Sequence, residues 1–314
     1  HHCLCSLPTG IFFECNEVYK SFAFKIAMYS VLTIAVLLTV VSGNLFVIIS
    51  ICHFKQLHTP TNMFVVSLAV ADFFVGMIVM PFQFSTLIEH CWYFGDLMCF
   101  FHYGVYLLLT SASVCNLVFI SLDRYLAVCN PFFYNARVTV SRSLFCVFLS
   151  WLSSLLYILA YIYSEGNYFR EDCVGVCEFD YISAWGLADL LFTFILPFSV
   201  MTCLYTRIII VASRHARAIR SVKQKADSSK NRKNKISKSE RKAAKTLGTV
   251  VATFMLCWLP SLLMSVFYEY AHITSNIFYD IYLSLGMVGI INSAAQLNEP
   301  LWAGMQPHPE VQPN

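Results

Sequence analysis

Residues Asn62 to Leu87 read NMFVVSLAVADFFVGMIVMPFQFSTL, an apolar run whose one charge is Asp72. An α-helix rises about 1.5 Å per residue and crosses the hydrocarbon core of a bilayer in roughly 20 residues, so this stretch can span a membrane. Six more stretches match it: Ile26–Ile51, Leu97–Leu122, Leu144–Ile162, Tyr181–Val211, Leu247–Phe267 and Ile277–Leu297. The chain of 314 residues is 58% hydrophobic and 12% charged, too little polar surface for a soluble domain of that size. The expected fold is an all-α membrane protein, a bundle of seven transmembrane helices. Residues 1–22 then form an N-terminal segment, 23–298 the membrane domain, and 299–314 a short tail. Within the domain, 213–245 make one long polar loop.

Charge sets the expected orientation. Lys55, Arg124, Arg137, Arg142 and everything basic from Arg207 to Lys245 fall on one side, which collects 18 of the 21 Lys and Arg residues. Only Lys20, Lys25 and Arg170 fall on the other. Basic residues stay on the cytoplasmic side, so the N-terminus is expected outside, in a multi-pass plasma-membrane protein. The basic loop is explained by topology and anionic inner-leaflet lipid, not by nucleic acid. Its Lys, Ser and Asn residues cannot bury enough apolar surface to fold alone, whereas Arg207–Arg220 and Glu240–Lys245 should extend the flanking helices. No basic-then-apolar leader is visible.

The 13 cysteines sort by side as well. Cys3, Cys5, Cys15, Cys91, Cys99, Cys173 and Cys177 belong to outer segments, where disulfides persist. Cys52, Cys115, Cys129, Cys146, Cys203 and Cys257 are expected as free thiols. Seven outer cysteines cannot all pair within one chain.

An Asp at a helix centre costs about 2.5–3.5 kcal/mol to insert, so each one present needs a partner or a cavity. Asp72 and Asp189 lie deep in apolar runs with no Lys or Arg at comparable depth. A cation, a proton or water must complete them. A protonated, hydrogen-bonded carboxyl is the plainer alternative for Asp189. No nucleophile–base–orienter set is present, which argues against an enzyme. The halves of the chain show no internal repeat, which weighs against a transporter, and sparse intramembrane charge weighs against a channel.

Several short motifs, in order and on the right helices, carry a resemblance. They are Gly43-Asn44, Leu68-Ala69-x-x-Asp72, Cys99, Asp123-Arg124-Tyr125, Trp151, Pro197, Tyr205 and Cys257-Trp258-Leu259-Pro260. Together they resemble the rhodopsin-like (class A) G-protein-coupled receptors. Within that class His58-Thr59-Pro60-Thr61-Asn62, Cys91-Trp92-Tyr93-Phe94-Gly95 and Glu240-Arg241-Lys242-Ala243-Ala244-Lys245 look like a trace amine-associated receptor, a sensor of volatile and biogenic amines found mostly in olfactory neurons.

The resemblance implies a small amine ligand, a heterotrimeric G protein of the stimulatory type, a lipid surround and no cofactor except an allosteric sodium ion. It places the ligand among Asp189, Tyr106, Thr110, Trp258 and Ser261. It assigns the activation switch to Asp123, Arg124, Tyr205, Glu240, Trp258 and Pro260, with Arg124 paired to Glu240 at rest. Asp72, Ser113 and Asn292 would hold sodium. The implied disulfides are Cys99–Cys177 and Cys15–Cys173.

Two departures qualify these expectations. Amine receptors carry an Asp on helix three where this chain has Tyr106, whose ring offers a cation–π face worth about 0.5–2 kcal/mol but no negative charge. Asp189, eight residues before Pro197, resembles the relocated acid of some fish members and would hold the ammonium group inverted. In helix seven, Asn292-Ser293-Ala294 fits the family, but Gln296-Leu297-Asn298-Glu299-Pro300 stands where an Asn-Pro-x-x-Tyr motif is expected. A non-signalling, pseudogene-like product is therefore the alternative to an amine receptor.

Overall fold

The computed structural model describes residues 4–6, 12–14, 22–89, 92–165, 177 and 190–223, with 253, 256–260, 263, 281 and 285 from the last two apolar stretches. Five helices long and apolar enough to cross a membrane lie in these residues. Helix one is Phe22–His53. Helix two runs Pro60–Phe74, passes through a π-turn at Val75–Val79 and continues over Met80–Glu89. Helix three is Gly95–Cys129, helix four Val140–Glu165, and helix five a π-segment Leu190–Ile195 followed by Leu196–Lys223. Residues Leu256–Pro260 of the sixth stretch are also helical. The N-terminal segment adds a small antiparallel ladder, Leu4–Ser6 against Phe12–Glu14, pairing Cys5 with Phe13.

Each helix outruns its apolar stretch. Helix three continues through Asp123-Arg124-Tyr125 to Cys129, because leaving the hydrocarbon ends the need for apolar side chains and not the hydrogen-bond ladder. Helix five likewise reaches Lys223, as its basic extension suggested. Thr59 caps helix two by accepting from the Asn62 N–H at 3.3 Å, and Pro60 sits in the first turn, where its missing N–H costs nothing.

The prolines inside the apolar runs act in a specific way. Pro81 and Pro197 each stand two residues past the end of a π-turn. A proline cannot donate to the carbonyl four residues back and its ring crowds that carbonyl. For Pro81 that carbonyl belongs to Met77, and for Pro197 to Thr193, both inside the widened turns. A wider turn relieves the clash and re-aims the side chains beyond it.

Helix three is the central column. It packs against helices two, four and five, and its membrane window is 50% buried, against 22% for helices four and five. Lipid is as apolar as Leu, so close packing and interhelical hydrogen bonds hold such a bundle together. Two apolar layers do the packing. One gathers Val47, Phe64, Leu68, Leu117, Met201 and Tyr205; the other gathers Val40, Val75, Met80, Phe84 and Leu109. A polar seam ties helices two, three and four: Asn116 Nδ2 and Trp151 Nε1 both donate to Ser67 Oγ at 2.9 Å, and Ser111 donates to Ser154 at 2.9 Å. Helices one and two close tightly at Gly76, where a Cβ would stand 2.9 Å from Val40 Cγ1.

Cys52, Cys115, Cys129, Cys146, Cys203 and Cys257 are free thiols, as expected.

Candidate functional site

Three constellations follow one another along helix three. Nearest Cys99 are Tyr106 and Thr110, one helical turn apart and both half-buried. Tyr106 touches the second apolar layer and also a small cluster of Leu107, Ile158, Tyr103 and Tyr157. Its ring centroid lies 6.3 Å from that of Tyr103. Trp258 packs against both apolar layers, so among the described residues it joins the outer and inner halves of the core. Pro260 is helical and half-buried two residues on. Asp189 and Ser261 lie outside the described residues. Cys99 and Cys177 are joined, with Cα atoms 5.6 Å apart, which pins Cys177 above the start of helix three. Cys15 and Cys173 lie outside the described residues.

One to two turns further along, Asp72 and Ser113 meet. Both are essentially buried, at 1% and 2% exposure. Ser113 Oγ donates to Asp72 Oδ1 at 3.3 Å, while Oδ2 is enclosed with no partner among the described residues. A buried carboxylate oxygen without a donor is costly. Two oxygen donors on adjacent helices with one of them unsatisfied fit a small hard cation, which prefers oxygen ligands. Asn292, the third expected ligand, lies outside the described residues.

The basic end of helix three carries the third constellation. Asp123 is 4% exposed and accepts from Thr61 Oγ1 at 2.6 Å. It also accepts from Arg124 Nη2 at 2.6 Å and Nε at 3.1 Å. Arg124 Nη2 donates in turn to Thr61 Oγ1. The guanidinium is thus held between its own helix and the first turn of helix two. Tyr134 on the short helix Pro131–Arg137 joins this group. Burial raises its hydroxyl above the usual phenol range, and Thr61, Asp123 and Arg124 all act on it. Tyr205 is buried in the inner apolar layer. Glu240, the expected resting partner of Arg124, lies outside the described residues; the partners observed are Asp123 and Thr61. Sequence reasoning passed over Thr61 and Tyr134, whose only advance signal is a hydroxyl at the first turn of a helix and another after Pro131.

The 7 transmembrane receptor (rhodopsin family) profile matches residues 43–295. With the bundle and its three constellations, this defines a seven-transmembrane receptor of the rhodopsin family, to which the chain belongs. The chain is 41% identical over 273 residues to trace amine-associated receptor 13c of Danio rerio, covering 85% of this chain and 79% of that one. It is 44% identical over 244 residues to trace amine-associated receptor 6 of Rattus norvegicus, covering 75% and 70%. Against trace amine-associated receptor 1 of Homo sapiens the identity is 39% over 257 residues, covering 79% and 76%. The chain is a member of the trace amine-associated receptor family, a family of receptors and not of enzymes.

Proposed function

We propose that the protein is a plasma-membrane receptor for small amines, with its N-terminus outside, signalling through a stimulatory G protein in olfactory neurons. Its ammonium-binding acid is Asp189. The observation that carries this reading is Tyr106, a neutral aromatic half-buried on helix three, beside Tyr103 and against the layer that Trp258 touches.

An amine entering from the Cys99–Cys177 end meets aromatic faces on helix three, worth about 0.5–2 kcal/mol to a cation, and takes its full countercharge from Asp189. Low dielectric makes that pairing strong and selective for a charged nitrogen. Trp258 contacts both core layers, so displacing it repacks the inner half of the bundle. At the far end, repacking competes with the Asp123–Arg124–Thr61 clasp, and a bias of a few kcal/mol suffices to change which state dominates. Phe132, 91% exposed on the short helix after helix three, offers an apolar knob to a G protein beside the released Arg124. Asp72 and Ser113 would hold an allosteric sodium ion with Asn292, a group that supplies charge balance in the resting bundle.

Amine-evoked cyclic AMP tests the assignment. Asp189→Asn is expected to abolish it at unchanged surface expression; an intact response removes Asp189 as counter-ion. A second reading, a product that binds ligand without signalling, is favoured by one observation: the family match ends at residue 295, and Gln296-Leu297 follow where Asn-Pro is expected. Restoring the family's helix-seven end separates the two, since a silent receptor that then responds supports the second.

A further inference from the structure

His102 stands one turn from Tyr106 on the same face of helix three, toward Cys99, and is 6% exposed. Phe82 and Trp92 close over its ring at centroid distances of 5.6 and 5.4 Å. Trp92 is itself fixed by donating Nε1–H to the Gly95 carbonyl at 2.9 Å, at a turn where Gly95 adopts a φ of 78° that a side chain would oppose. The enclosure around His102 is therefore built and not incidental.

Its chemistry is directional. Nε2 faces Gln83 Oε1 at 3.4 Å. An amide oxygen only accepts, so in the tautomer that satisfies this contact Nε2 carries the ring proton and Nδ1 is left with a lone pair. Nδ1 is buried and has no hydrogen-bond partner among the described residues. Buried acceptors without donors are rare and costly. Stacked at one-turn spacing, His102, Tyr106 and Thr110 form one stripe, which puts this acceptor at the end of the proposed ligand track. Among the described residues the walls are Phe82, Gln83 and Trp92, with Phe94 packed against Phe82 and Trp92, and none of them is acidic. None of these described walls offers a countercharge, so they suit a neutral hydroxyl, which loses little on desolvation and gains the missing bond, better than a second ammonium.

We infer that Gln83 and His102 form a second polar subsite that accepts a hydroxyl hydrogen from the far end of the ligand, so that the preferred amines are amino alcohols. This rests on the amine reading above. The test compares straight-chain primary amines, α,ω-diamines and ω-amino alcohols of matched length on the purified receptor. The readout is ligand-dependent rise in melting temperature, which needs no G protein.

At one chain length the amino alcohol is expected to bind about tenfold more tightly than the matched alkylamine, the diamine showing no such gain. His102→Phe keeps the aromatic packing and removes the acceptor; it should erase the preference and leave alkylamine binding within about twofold. Gln83→Leu, which frees the ring to change tautomer, should weaken the preference without erasing it. Equal binding of alkylamines and amino alcohols by the unaltered receptor overturns the subsite, whether or not either variant folds. So does a preference that survives His102→Phe. A receptor indifferent to every amine overturns the amine reading itself and the subsite with it.

Discussion

Gly76→Ala puts the close approach of helices one and two to a direct test. The added Cβ would lie 2.9 Å from Val40 Cγ1 and 3.1 Å from Val41 Cγ2, where carbon atoms ordinarily rest about 3.5–4.0 Å apart. Neither valine can swing clear, because a β-branched side chain in a helix has essentially one χ1 well. Val40 is also 1% exposed, so there is no empty space to move into. Overpacking of this kind costs about 1–3 kcal/mol, while replacing Gly by Ala in a helix returns at most about 1 kcal/mol. The net expectation is a loss of roughly 1–2 kcal/mol, or several degrees in melting temperature. Thermal unfolding of the detergent-solubilised receptor measures it. Val40→Ala alone should also destabilise, by opening a cavity, but the pair should cost less than the sum of the two by about 1 kcal/mol, since each change removes the other's problem. A Gly76→Ala protein as stable as the original, or strict additivity in the pair, would refute the reasoning.

Three further outcomes are expected. Asp123→Asn removes the charge from a clasp whose Arg124 side is 28% exposed and Asp123 side 3%. Discounted for that exposure, the loss is about 1 kcal/mol and should raise ligand-free cyclic AMP about three- to tenfold per receptor at the surface; unchanged basal signalling counts against the clasp. Phe132→Ala should reduce agonist-evoked signalling at least about tenfold and leave amine binding alone, as an exposed knob that meets only a partner must; a parallel loss of ligand binding contradicts that role. Asp72→Asn should abolish any sodium-dependent rise in melting temperature, measured against equal choline chloride, and a sodium effect that persists places the ion elsewhere.

Hydropathy made the five described spans legible because hydrocarbon leaves few alternatives to an apolar helix. It was silent on helix three beyond Leu122 and on the short helix Pro131–Arg137, where water returns and the constraint disappears. The π-turns could not be read either: Pro81 and Pro197 announce a disturbance but not its form. Within the site, the residues that a motif names were placed together, namely Asp72 with Ser113, Asp123 with Arg124, and Cys99 with Cys177. Thr61 was not, because its contact with Asp123 joins positions 62 apart in the chain, and nothing local to either residue encodes the meeting. His102 did leave a trace, one turn before Tyr106 on the same face, yet only the orphaned ring nitrogen gives that trace a meaning.

Helix four turns Phe145, Phe148, Leu152, Leu156 and Leu159 to the outside, while helix three is hemmed in by three neighbours. The two helices should consequently age at different rates. On that outer face of helix four an exchange of one oily side chain for another offends no neighbour, so duplicated genes can drift there freely. On helix three each inward change must be answered by a second change on an adjoining helix. A comparison of paralogues arranged by helix should show that asymmetry as fast, interchangeable wear on one strip of the barrel and slow, paired replacement along its axis.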